Sequence, residues 1–178
     1  MSQWYIGDPC YAIKDDRWDE FCEKLFAHPD YKTESGDTLG GGYGIEMKWT
    51  YTTPDTDEPN NPIELLTTLY IYDSPFGDGV WNVHGHSLGV DAGLLSVLPI
   101  EVCDSTVGGA VVESEFRPVF ETSEQFPYVA LTINKDTQFD TAGHSLCDIC
   151  EEWAMDNDMF MNTIGDYCCG ECFMEGEE

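Results

Sequence analysis

Positive charge is what this 178-residue sequence most lacks: 7 Lys+Arg stand against 35 Asp+Glu, for a formal net charge of −28. Attachment to DNA, RNA or an anionic membrane surface needs cations in number, so direct nucleic-acid binding and membrane-surface binding are excluded as simple electrostatic functions. Long apolar runs are absent too. No stretch approaches the roughly 20 apolar residues that span a bilayer. The start Met1-Ser2-Gln3-Trp4-Tyr5 has neither the basic nor the apolar segment of a secretory signal. We therefore expect a cytoplasmic protein, in which cysteines serve as thiols or metal ligands rather than as a disulfide framework. Catalytic signatures are missing as well. There is no G-x-S-x-G elbow, and Gly40-Gly41-Gly42-Tyr43-Gly44 lacks the lysine and following helix of a phosphate loop.

What the chain does have is a foldable composition. It is 42% hydrophobic and 13% aromatic, enough for a packed core and too much for an acidic disordered tail. Its length suits one ordinary domain with a small appendage. Trp18, Phe21, Cys22 and Leu25 fall on one helical face behind Asp15 or Asp16 as N-cap, which predicts one N-terminal helix ending near His28-Pro29. Most other apolar segments are short and strand-like. Ile45 to Tyr51 alternates cleanly, and Leu65 to Tyr72, Val80 to Val83, Leu94 to Leu98, Ala110 to Val112, Val119-Phe120 and Tyr128 to Ile133 are bounded by Gly, Pro or Asp turns. The segment from Thr52 to Pro62 reads as a surface loop. The expected fold is mainly β (α+β): an antiparallel sandwich or partly open barrel over 1–144, followed by an acidic, Cys-rich, helical appendage over 145–178.

That appendage carries the strongest local motif. Cys147-Asp148-Ile149-Cys150 and Cys169-Gly170-Glu171-Cys172 are two C-x2-C pairs separated by eighteen residues, within the spacing of structural zinc sites. Each pair can grip one cation from a tight turn, and two pairs complete a tetrahedron with no open position. Zinc is the cofactor this spacing implies; reduced thiols without metal, or a disulfide or redox pair, are the alternatives, and Cys168 blurs the register. A second pattern, His84-Gly85-His86 with Asp91, would put two imidazoles on one strand face beside a carboxylate. It has a faint likeness to the His-x-His of cupin barrels and supplies the alternative metal site of a small metal-dependent β-barrel enzyme. The bland reading is two exposed histidines in a turn-rich segment.

Ile6-Gly7-Asp8-Pro9-Cys10-Tyr11, Gly77-Asp78-Gly79 and Val90-Asp91-Ala92-Gly93-Leu94-Leu95 together resemble a family of small uncharacterised bacterial and phage proteins with D-P-C-Y, G-D-G and V-D-A-G blocks. The resemblance covers roughly residues 4–140 and implies a β-rich body, with no activity to carry over. On their own chemistry Asp8, Asp78 and Asp91 read as turn formers.

The charge is also uneven. Five of the seven cations lie in the first 48 positions, and from Asp136 onward there are 12 carboxylates and no Lys or Arg. Solubility or adaptation to high salt would explain such a surplus blandly. The sharper reading is imitation of a polyanion, since duplex DNA presents one charge per about 1.7 Å. We expect a non-enzymatic, phage-type inhibitor whose acidic face occupies the nucleic-acid site of a basic host protein, such as a defence nuclease. Asp148, Glu151, Glu152, Asp156 and Asp158 are the first positions expected to form that partner-binding surface. A viral structural or assembly protein is the third possibility.

Overall fold

The structure is a computed structural model that describes residues 1–31, 44–53, 62–75, 77–123, 127–141 and 143–175. The Gly40-Gly41-Gly42 run and most of the segment from Thr52 to Pro62 lie outside the described residues. The body begins with β1 (Ser2–Gly7), α1 (Pro9–Ala12), α2 (Asp15–Phe26), β2 (Ile45–Thr53) and β3 (Ile63–Asp73). It continues through β4 (Gly79–Val83), β5 (His86–Val90), β6 (Leu94–Pro99), β7 (Ala110–Ser114), β8 (Val119–Thr122), β9 (Val129–Ile133) and β10 (Asp136–Asp140). The appendage holds β11 (His144–Leu146), β12 (Trp153–Met155), β13 (Met159–Met161), β14 (Tyr167–Cys169) and α3 (Gly170–Glu175).

Strand alternation sorts the core into two faces. The main sheet runs β2-β3-β6-β1-β7, and each neighbouring pair in it is antiparallel. Its central strand β6 is buried on both sides, so it reads as a nearly continuous apolar run. Leu94 and Leu98 of β6, Tyr5 of β1, and Leu69 and Ile71 of β3 point one way and pack with Phe21 and Leu25 of α2. Leu95, Val97, Ile6 and Tyr72 point the other way, onto Trp81, Val83, Leu88, Phe120, Val129 and Leu131. The second layer is therefore the β4-β5 hairpin and the three-stranded β10-β9-β8 sheet. The described residues form a β sandwich with one helix on its outer face and no closed barrel. Among the described residues no helix is long and apolar enough to cross a membrane.

Local chemistry explains the departures from expectation. The N-cap of α2 is Lys14, without a side-chain cap of its own. Asp104 supplies the carboxylate instead, accepting from the Lys14 N–H at 3.0 Å and pairing with Arg17 at 2.7 Å. The appendage is less helical than its Met- and Cys-rich composition predicts: its described residues form two short hairpins, β11-β12 and β13-β14, with six residues of α-helix and a single 3-10 turn at Asp156–Asp158. Hairpins of three residues a side have no period to read. Side chains hold their turns. Asp148 accepts the Tyr167 N–H at 2.7 Å, Asp156 accepts from Ser145 Oγ at 2.6 Å, and Asn162 Oδ1 accepts the N–H groups of Ile164 and Asp166.

The three turn blocks of the body meet in space. Asp8 is fully buried, and its carboxylate accepts the N–H groups of Cys10 (2.9 Å), Asp91 (2.8 Å) and Ala92 (2.7 Å). Asp78 accepts the Gly93 N–H at 3.0 Å, while Tyr11 donates its hydroxyl to Asp91 at 2.9 Å. Thus D-P-C-Y, G-D-G and V-D-A-G are parts of one backbone clamp. Gly109 is required beside it, because a Cβ there would lie 2.5 Å from the Ile6 carbonyl oxygen and the Tyr5 ring.

Candidate metal centre

The appendage has its own small core, separate from the two of the body. Among the described residues only Cys147, Met159 and Cys168 are buried in it, with Ala154, Cys169, Cys172 and Phe173 packed around them. So few apolar side chains cannot hold some thirty residues in place by burial, and small modules of this kind are ordinarily stapled by metal or disulfide. All eight cysteines of the protein are free thiols.

The hairpins bring the two C-x2-C pairs together. Cys147 follows β11 and Cys150 closes the turn toward β12; Cys169 ends β14 and Cys172 sits in the first turns of α3. The four sulfurs all lie within 4.8 Å of one another. Cys150 Sγ and Cys169 Sγ are 3.9 Å apart, close to the edge of about 3.8 Å that a tetrahedron with 2.3 Å metal–sulfur bonds requires. Backbone amides complete the donor arrangement. The N–H groups of Cys150 and Cys169 reach Cys147 Sγ at 3.5 and 3.4 Å. Glu151 takes a positive φ of 58°, and its N–H closes back on the Cys147 carbonyl at 3.0 Å.

These amides act on charge. The Cys150 N–H, outweighing burial and helped by those of Cys169 and Ile149, lowers the Cys147 thiol to about 6. Cys172 is pushed the opposite way, by burial and by hydrogens shared with Cys169, Cys150 and Cys147. At Cys150 the Glu152 N–H pulls downward, but the hydrogen shared with Cys147 and burial win, and its thiol is raised. A cluster of this kind is a set of sulfurs holding protons where a divalent cation could replace them. Cys168 stands apart: it is buried and donates to the Phe160 carbonyl at 3.5 Å, which removes the ambiguity of register. Among the described residues these four cysteines are the group able to hold a metal ion.

Comparison with family models, curated proteins and solved structures found no match to this chain.

The other predicted positions fall elsewhere. His84 and His86 do not share a strand face. His84 (φ 52°) and Gly85 (φ 70°) form the tight turn between β4 and β5, and His86 begins β5. His84 Nε2 lies 2.7 Å from the Leu131 carbonyl oxygen and 3.2 Å from that of Asp136, pinning the turn to the β9-β10 hairpin. Asp91 is engaged by Tyr11 in the clamp described above. The three are not assembled as a ligand set. The five carboxylates expected on a partner surface, Asp148, Glu151, Glu152, Asp156 and Asp158, are all exposed, and Asp148 and Asp156 also hold hairpin turns.

Sequence reasoning missed the apolar cleft beside the cysteine cluster. A cavity of about 810 Å³ is lined by Trp153, Ala154, Phe160, Phe173 and Met174, with Glu152, Asp158 and Glu171 also on its wall. Its side chains come from three separate short elements, so no periodic pattern marks them.

Proposed function

We propose that this protein acts by binding, as an acidic, zinc-stiffened ligand for the nucleic-acid site of a basic protein, and that it is not an enzyme. The observation that carries the reading is the fate of its few cations. Arg117 lies 3.8 Å from the Tyr70 ring centroid, Lys24 lies 4.7 Å from that of Trp49, and Lys135 lies 5.4 Å from that of Phe116. Lys48 donates to Thr68 Oγ1 at 2.7 Å. The ion pairs that lysine and arginine make among the described residues go to two carboxylates, Asp104 and Glu20. Among the described residues these cations lie against rings, a hydroxyl or a carboxylate of the same chain, Lys14, Lys48 and Lys135 among them still exposed, and the far more numerous carboxylates of the surface have little to neutralise them. Charge of that kind speeds encounter with a basic surface and makes the complex salt-sensitive.

Zinc fits the site by its preference for four thiolates in a tetrahedron. Four thiolates and one Zn²⁺ carry −2 together, so loading the metal makes an already acidic tail more so. The host-cell setting and phage character rest on the turn-block resemblance. The experiment is capture of a partner on the immobilised protein, followed by competition with duplex DNA at graded salt. The reading expects the partner to be displaced by the duplex and its affinity to drop at least about tenfold between about 50 and about 200 mM salt. A complex that ignores salt and accommodates DNA at the same time would refute it.

A further inference from the structure

We infer that the cleft between β12, β13 and α3 is a docking groove for a partner segment that carries an apolar side chain flanked by lysine or arginine. This inference rests on the acidic-ligand reading above and adds the point of attachment. The floor is apolar and open: Phe160 stacks on Phe173 with ring centroids 5.1 Å apart, yet Phe160 remains 43% exposed and Met174 is 72% exposed. Such exposure is concentrated in the tail. Among the described residues, eight of the eighteen exposed large hydrophobic side chains lie between 145 and 175, which is about a fifth of those residues. Two of the eight, Phe160 and Met174, line this cleft; exposed apolar lining of this kind marks an interaction site, and the cavity of about 810 Å³ is large enough for an apolar side chain with its neighbours.

Charge selects the occupant. Glu152, Asp158 and Glu171 stand at the cleft, Cys169 of the metal centre lines it, and no Lys or Arg occurs after Lys135. An anionic membrane would be repelled, and a wholly apolar ligand would gain nothing from the three exposed carboxylates at the rim. A segment with an apolar anchor between cations satisfies both the floor and the rim. Because Cys169 and Gly170 line the cleft and Cys172 follows them on α3, the metal and the groove share one scaffold.

The test uses the zinc-loaded full chain and two labelled synthetic peptides of equal charge, one with leucines between its lysines and one with serines there, followed by fluorescence anisotropy. The leucine peptide should bind about tenfold more tightly. Met174→Ser should remove most of that preference and leave the serine peptide unchanged. Its zinc content, equal to that of the parent, verifies the fold, and Glu171→Gln should weaken both peptides. Equal, salt-sensitive binding of the two peptides would overturn the groove while leaving the acidic-ligand reading standing. Failure of both peptides to bind would overturn both. A dimer of the parent chain that Met174→Ser dissociates, with no leucine preference, would give the groove to a second copy and overturn the inference.

Discussion

Removing the zinc proposed for the cysteine cluster should unfold the appendage and leave the body intact. The core of the appendage buries one non-cysteine side chain, Met159, whose complete burial is worth about 1.5–3 kcal/mol. A structural tetrathiolate zinc site is worth about 10–16 kcal/mol of apparent binding free energy at neutral pH. The metal term is several times larger, so the short hairpins β11-β12 and β13-β14 should not survive its loss. The body has two extensive cores of its own on either side of the main sheet. The assay is amide hydrogen exchange read by mass spectrometry, before and after a strong chelator under reducing conditions, with metal content measured on the same samples. Segments between 145 and 175 should lose their protection. Those of β1 and β6 should keep it. Retained protection in the tail of a verified metal-free sample would refute the argument that the cysteine cluster, rather than apolar packing, holds it.

Single substitutions separate ligand from neighbour: Cys150→Ser should abolish stoichiometric zinc by elemental analysis, whereas Cys168→Ser should keep it, since that thiol hydrogen-bonds Phe160 instead. His84→Ala should leave metal content unchanged and cost about 1 kcal/mol in urea unfolding, through loss of the carbonyl contacts at the β4-β5 turn. Asp8→Ala should destabilise the body by about 3–6 kcal/mol in the same assay, because three backbone N–H groups lose their acceptor; a cost under about 1 kcal/mol would contradict the clamp. Burial and the Asp8 carboxylate push the Cys10 thiol up to about 12, and burial with Asp104 does the same for Cys103. Both should resist alkylation at pH 8.5 in the native protein and react once it is unfolded. The folded state favours their neutral form, so stability should be full below about pH 9 and fall as pH rises toward about 12, followed by denaturant midpoint.

The body was largely legible because its strands obey period two and its turns are written in Gly, Pro and Asp. The alternation of Ile45 to Tyr51 and the apolar run at Leu94 to Leu98 became β2 and the doubly buried β6. Two strands escaped notice for physical reasons. β5 contains Gly89 and a histidine, and β10 is mostly exposed, so neither shows an apolar rhythm. His84-Gly85-His86 misled because a strand reading ignores the left-handed backbone that Gly85 permits and His84 adopts. The cysteine cluster was legible since a C-x2-C pair is a local turn whose partner needs only to be brought near. The long-range side of the Asp8 clamp, 83 positions away at Asp91, leaves no local trace. Nor does the cleft of the appendage, whose walls come from three separate segments.

The central claim is that this outward-facing acidity is a docking surface and not a device for staying dispersed. Its most direct measurement is the affinity for the captured partner as a function of salt, with and without duplex DNA. The account predicts steep weakening with rising salt and mutual exclusion with the duplex. Binding that holds steady as salt rises, on a partner that still carries its DNA, would contradict it.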